Sequence, residues 1–134
     1  MTKTLFTNAR LIDPVGLTDN IGAVLIDGNK IAKVYDEASP DVTGPAVIEC
    51  GGMCLAPGII DIGVKVSEPG ERHKESFRSA GRAAAAGGVT TIVTRPATLP
   101  AIAPPETLEF AQRRAQADAP VHVLPMAALT KARD

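Results

Sequence analysis

The fold class is decided by the stretch Pro57-Gly58-Ile59-Ile60-Asp61-Ile62-Gly63-Val64-Lys65-Val66. After a proline–glycine turn signal, the run is apolar and rich in β-branched residues, which is typical of a central strand in a parallel sheet. A polar loop, 67–72, leads into a helical stretch from His73 to Ala86. Gly87-Gly88 closes this helix, and we expect Gly87 to take the left-handed cap. A second buried strand is predicted from Val89 to Thr94.

The same alternation continues toward the carboxyl end. Pro105 suits the first position of a second helix, in which Leu108, Ala111 and Ala115 recur on one apolar face. A third strand is predicted from Val121 to Leu124. Strand, helix, strand, helix, strand indicates a parallel α/β fold. A complete eight-stranded barrel needs roughly 250 residues. We therefore expect the first units of an incomplete barrel, either as a fragment or with its open edge covered by something else.

The first 53 residues have a different character. Short β-rich segments joined by turns are predicted at 4–7, 10–12, 22–26, 30–34 and 46–49. Asn8 is expected to break the first segment from the second. Asp27-Gly28-Asn29 predicts a hairpin, because these residues tolerate the positive φ of a tight reversal. The sequence thus predicts two parts, residues 1–53 and 54–134.

Composition excludes several classes of protein. Hydrophobic residues make up 45% of the chain and the net charge is −1, so disorder, nucleic-acid binding and a cationic membrane face are not expected. The longest apolar stretch, Val121 to Leu129, is too short to span a bilayer. With no signal-peptide pattern at the amino end, we expect cytoplasmic residence. Cys50 and Cys54 are interpreted as reduced thiols rather than a metal clip, since two thiolates leave a zinc site half empty.

Several motifs resemble a known family. They are Cys54 to Asp61, Glu68-Pro69-Gly70, His73-Lys74-Glu75, Ala83 to Thr91 and Arg95-Pro96-Ala97-Thr98. Together they resemble the dihydroorotase branch of the amidohydrolase superfamily, with the last motif in the place of that branch's Met-Pro-Asn-Thr. The resemblance implies that the strand-rich first part is a segment of the family's flanking β-sandwich. It also implies that the second part is the opening of an amidohydrolase (β/α)8 barrel.

The family resembles metal hydrolases that open or close cyclic amides, with an Asp-x-His-x-His motif on the first strand. Its two imidazoles hold a divalent ion, usually zinc, which lowers the pKa of bound water from 15.7 to about 7. In this chain Gly63 and Lys65 stand at the two histidine positions, after Asp61. A glycine offers no ligand, and an ammonium only donates. The family's carboxylate-binding arginine and substrate-binding asparagine are replaced by Ser67 and Ala97. We therefore expect no catalytic residue, metal or cofactor in this chain.

Each remaining candidate has a structural alternative. Asp61 is expected to pair with Lys65 rather than to survive as a catalytic acid. Lys65 as a base or Schiff-base nucleophile is the less favoured role. Arg95, at the end of the second strand, points toward the barrel mouth and could bind an anion or pair with a carboxylate. His73 is interpreted as a surface or capping residue, and His122 as a core histidine with its hydrogen bonds satisfied.

Two hypotheses of function follow from the resemblance. The favoured one is a catalytically inactive dihydroorotase-like protein that serves as a structural partner of aspartate transcarbamoylase. The alternative is an active metal-dependent cyclic amidohydrolase, seen only as a fragment, which would need zinc held by other parts. In either case an open half-barrel exposes apolar sheet edges, so a protein partner or a homo-oligomer is expected.

Overall fold

The computed structural model of this chain describes residues 3–130. The chain forms two compact units, Met1–Pro57 and Gly58–Asp134. Within the described residues, no helix is both long enough and apolar enough to cross a membrane. The first unit is built from strands alone, and the second alternates strands with helices.

The first unit contains a single five-stranded sheet. Its strands are β1 (Lys3–Asp13), β2 (Thr18–Asp27), β3 (Lys30–Tyr35), β4 (Ala46–Glu49) and β5 (Cys54–Leu55). The order is β3-β2-β1-β4, and β5 pairs with β1 beyond β4. β1, β2 and β3 are antiparallel neighbours, whereas β4 and β5 run parallel to β1.

One strand is longer than the sequence predicts. β1 continues through Asn8 instead of breaking there, and the register with β2 shifts between Phe6 and Ala9. Asn8 has a φ of 50°, which asparagine tolerates better than most residues. The predicted break is therefore a β-bulge, which keeps the strand paired while it bends. The predicted hairpin after β2 is confirmed, since Asp27 pairs with Lys30 and Gly28 has a φ of 62°.

The second unit confirms the predicted α/β pattern. Its elements are β6 (Ile59–Val64), α1 (Phe77–Ala86), β7 (Val89–Thr94), α2 (Pro105–Asp118) and β8 (His122–Pro125). The three strands form a parallel sheet in the order β6-β7-β8. Each helix connects neighbouring strands, as in the opening units of a β/α barrel.

Both helices pack on one face of this sheet. Ile92 of β7 is buried in a cluster with Phe77 and Ala80 of α1 and Ala111 and Ala115 of α2. The alanines let the helices lie close to the sheet, and the two on α2 confirm the apolar face predicted from their spacing.

The other face of the sheet has no covering layer within the described part of the second unit, residues 58–130. Ile60 and Ile62 of β6 and Leu124 of β8 are all more than half exposed. This face corresponds to the inside of a closed barrel, where side chains from other strands would cover it.

The predicted end of α1 at Ala86 is confirmed, whereas its start and the glycine that takes the left-handed conformation differ from the prediction. The helix begins at Phe77 rather than His73, because Ser76 is its N-cap and accepts a hydrogen bond from the N–H of Ser79 at 3.1 Å. At the other end Gly88, with a φ of 75°, takes the left-handed conformation expected of Gly87, whose φ is −92°.

Candidate functional site

The candidate site lies where β6 and β7 end. Asp61 is registered with Ile92, which packs beneath the helices, so Asp61 projects from the helix-covered face. The register then shifts around Gly63, whose φ is 97°. This bulge returns Val64 to the helix-covered face, where it packs on the core. Lys65 follows Val64 and therefore projects from the uncovered face, by the alternation of side chains along extended chain.

The predicted ion pair between Asp61 and Lys65 is wrong. Neither residue takes part in an ion pair within residues 3–130, and both are exposed. The expectation assumed a regular strand, in which residues 61, 63 and 65 share a face. The bulge at Gly63 breaks that alternation and separates the two side chains.

Arg95 occupies the space beside Gly63. Its backbone N–H donates to the carbonyl oxygen of Val64 at 2.9 Å, which joins the two strand ends. A Cβ atom added to Gly63 would lie 3.4 Å from Nε and 3.6 Å from Nη2 of Arg95. The guanidinium thus stands where a side chain at position 63 would project. The expected carboxylate partner of Arg95 is not found among the described residues.

These side chains do not fit a divalent metal ion. Gly63 supplies no ligand atom, while Lys65 and Arg95 are cations whose nitrogens only donate. Within residues 3–130, no three histidine, cysteine, aspartate or glutamate side chains come close enough together to hold a metal. The chemistry that this part of the site offers is therefore recognition of negative charge.

Ser67 and Ala97, the two positions predicted to have lost the family's substrate-binding residues, follow the strand ends. Ser67 is buried in the loop after β6, and Ala97 is exposed in the loop after β7. These loops touch, because a Cβ on Gly70 would lie 1.8 Å from the carbonyl oxygen of Leu99. Neither Ser67 nor Ala97 carries a charge that could bind a carboxylate.

A buried carboxylate that the sequence reasoning missed lies in the same loop. Glu68 is only 4% exposed. One of its oxygens accepts the N–H of Phe77 at 3.1 Å, and the other accepts Nε of Arg114 at 3.2 Å. Arg114 also pairs with Asp118 at 2.7 Å, and Arg72 lies 3.7 Å from both carboxylates. Glu68 therefore joins the β6 loop to the start of α1 and to α2. In the sequence, the i,i+4 spacing of Arg114 and Asp118 on the predicted second helix was the signal that could have pointed to an ion pair here.

The two histidines are both exposed, on different elements. His73 lies in the turn before α1, which agrees with its interpretation as a surface residue. His122 is exposed on β8, so its prediction as a core residue is wrong. It is registered with Thr91 at the edge of the sheet, on the face without a covering layer. Cys50 is buried and Cys54 exposed, and both are free thiols.

The fold matches solved hydrolases. The L-hydantoinase (dihydropyrimidinase) of Arthrobacter aurescens superposes with a TM-score of 0.83 at 23% identity, covering 95% of this chain and 28% of that one. A dihydropyrimidinase of Brevibacillus agri gives 0.80 at 24% identity, covering 99% and 28%. The class that these two likenesses show is one of fold alone, that of the corresponding 28% of the hydantoinase and dihydropyrimidinase structures.

The sequence narrows the class further. The dihydro-orotase-like family matches residues 52–134, and this chain belongs to that family. The dihydroorotase of Ehrlichia canis is 39% identical over 130 residues, which is 94% of this chain and 29% of that protein. That of a Wolbachia species is 44% identical over 100 residues, covering 75% and 23%. The chain thus spans less than a third of the length of these relatives.

Proposed function

We propose that this is a catalytically inactive dihydroorotase-like protein of pyrimidine biosynthesis, and that it acts as a structural partner of aspartate transcarbamoylase. The observation that carries the first part is the guanidinium of Arg95 beside Gly63, two residues before Lys65. A glycine and an ammonium stand at the two positions where the family's hydrolases use neutral imidazoles, and a second cation lies beside the glycine.

The physical argument is electrostatic. Two unit charges 4 Å apart interact by about 4 kcal/mol at an effective dielectric constant of 20, so a divalent ion near one cationic side chain meets about twice that repulsion. Without a bound metal, water at this site keeps its ordinary pKa, and the hydroxide nucleophile is not formed at neutral pH.

Metal analysis and a dihydroorotate assay on the full-length protein test the inactivity. We expect no stoichiometric zinc and no turnover above that of a heat-denatured sample. The triple variant Gly63→His, Lys65→His, Arg95→Met is the matched comparison, since it supplies imidazoles and removes both cations. Stoichiometric zinc in the unmodified protein, with turnover abolished by a chelator, would overturn the proposal.

The transcarbamoylase as partner comes from the resemblance to inactive members of the family. The uncovered sheet face of the second unit, where Ile60, Ile62 and Leu124 are exposed, needs a covering layer, which further barrel strands or a partner would supply. Such a surface favours a covering layer of protein. We expect co-purification with aspartate transcarbamoylase from the cytoplasm, and a change in its assembly or rate when this protein is deleted. A transcarbamoylase of unchanged size and rate in the deletion strain would refute the partnership.

An active cyclic amidohydrolase is the second candidate. It is favoured by the names of the relatives, all dihydroorotases at 38–44% identity. Activity would require metal ligands from outside residues 3–130. The zinc and turnover measurements above discriminate between the two candidates.

A further inference from the structure

Two cationic side chains leave the sheet from neighbouring positions. Val64, the last residue of β6, is registered with Thr94, the last residue of β7. Lys65 and Arg95 are therefore the first residues beyond the two strands. Hydrogen-bonded strands lie about 4.8 Å apart, and the 2.9 Å bond from Arg95 N to Val64 O continues that pairing beyond the strand ends. Val64 and Thr94 face the helices, so by the alternation of side chains Lys65 and Arg95 project toward the uncovered face. Both side chains are exposed.

The nearby carboxylates are either bonded to other cations or directed away from Lys65 and Arg95. Glu68 is buried with Arg114. Glu71 is bonded to Lys74, which lowers the pKa of its carboxyl, and Lys65 is the weakest of the charges that contribute. Asp61 lies on the opposite face of the strand.

We propose that Lys65 and Arg95 form a binding site for a small oxyanion, a carboxylate or a phosphate, at the carboxyl ends of β6 and β7. The site would replace the metal of catalytic relatives with an anion at the same end of the sheet. This inference rests on the proposed function, because both depend on the side chains found at these positions.

The chemistry of the two side chains suits one shared ligand. A guanidinium presents two parallel N–H groups to an oxyanion, and an ammonium adds a third donor from the neighbouring strand. Gly63 has no side chain, and a Cβ there would already be in van der Waals contact with Nε of Arg95, at 3.4 Å. An anion between the two cations also removes their mutual repulsion.

Isothermal titration of the full-length protein with inorganic phosphate, and separately with succinate, tests the site. We expect one saturable site for at least one of them. Arg95→Gln and Lys65→Gln should each weaken binding about tenfold or more, the loss expected for one charge-assisted hydrogen bond. Arg113→Gln is the matched control, because Arg113 is exposed on α2 and its one partner among residues 3–130 is Glu109. It should bind as tightly as the unmodified protein.

The two ligands identify the source of the anion. Binding of phosphate alone supports a phosphate ligand, and binding of succinate alone supports a carboxylate ligand. Failure of both to bind at millimolar concentration, or binding that neither Arg95→Gln nor Lys65→Gln weakens, would overturn the inference. Zinc content measured on the same samples separates the two proposals. Zinc-free protein that binds neither ligand contradicts only the anion site, whereas stoichiometric zinc contradicts the proposed inactivity.

Discussion

Replacing Glu68 by glutamine should destabilise the second unit, although the two side chains have nearly the same size and shape, because the change removes a buried charge. The carboxylate is 4% exposed and accepts from the N–H of Phe77 and from Nε of Arg114. Removing one member of a buried ion pair costs about 3–5 kcal/mol, because the other charge is left without compensation. Arg114 is partly exposed and the amide oxygen of glutamine can still accept one bond. We therefore expect a loss of about 2–3 kcal/mol in the free energy of unfolding.

The measurement is urea denaturation followed by circular dichroism at neutral pH. A loss of this size lowers the midpoint of unfolding without changing the slope, and it lowers the melting temperature by about 10 °C or more. Glu71→Gln is the matched control in the same loop. Its carboxylate bonds to Lys74 at the surface, so we expect a change of less than about 1 kcal/mol.

A double-mutant cycle with Arg114→Met isolates the pair. If the two residues act through each other, the double variant loses less than the sum of the two single variants, by about 1 kcal/mol or more. A free energy of unfolding for Glu68→Gln within about 0.5 kcal/mol of that of the unmodified protein would refute the reasoning, because ordinary surface substitutions cause changes of that size.

Three further measurements test the structure. Gly70→Ala should cost at least about 2 kcal/mol more than Gly88→Ala in urea denaturation: both glycines have positive φ, but only a Cβ on Gly70 would strike a backbone oxygen, at 1.8 Å. Equal losses would contradict the contact between the two loops. Hydrogen bonds, first of all from Asn8, hold the pKa of Glu49 below its ordinary value, so its stabilising contribution is complete above about pH 4.3 and is lost as the pH falls through the lowered pKa. The free energy of unfolding of Glu49→Gln should therefore fall less steeply with decreasing pH than that of the unmodified protein. The same pH dependence in both proteins would contradict the lowered pKa of Glu49. Phe77→Ala should cost about 3–5 kcal/mol in the same assay, since the ring is fully buried in the core, and a smaller loss than for Gly88→Ala would be inconsistent with that packing.

The order of elements in the second unit could be predicted from the sequence. β6 and β7 follow from runs of β-branched residues, and α2 follows from the spacing of Ala111 and Ala115 after Pro105. These signals are local, because the period of apolar residues reports directly which face of an element is buried. The residue types at positions 63 and 65, on which the predicted loss of two imidazoles rests, were likewise visible in the sequence.

The direction of each side chain at the site was not predictable in the same way. A regular strand would put Asp61 and Lys65 on one face, and only the bulge at Gly63 separates them. Glycine permits such a φ without requiring it. Whether Gly63 adopts this φ depends on the packing of the strand ends and on the guanidinium of Arg95, which lies beside Gly63.

What the sequence determined by itself was the alternation of strands and helices and the residue types, Gly63 and Lys65, at the end of the first barrel strand. Only the tertiary structure decided that Glu68 would meet Arg114, which lies 46 residues further along the chain, and that His122 would lie exposed at an edge. Contacts of that kind depend on which elements become neighbours. No local period encodes them, since they form only when the helices pack on the sheet.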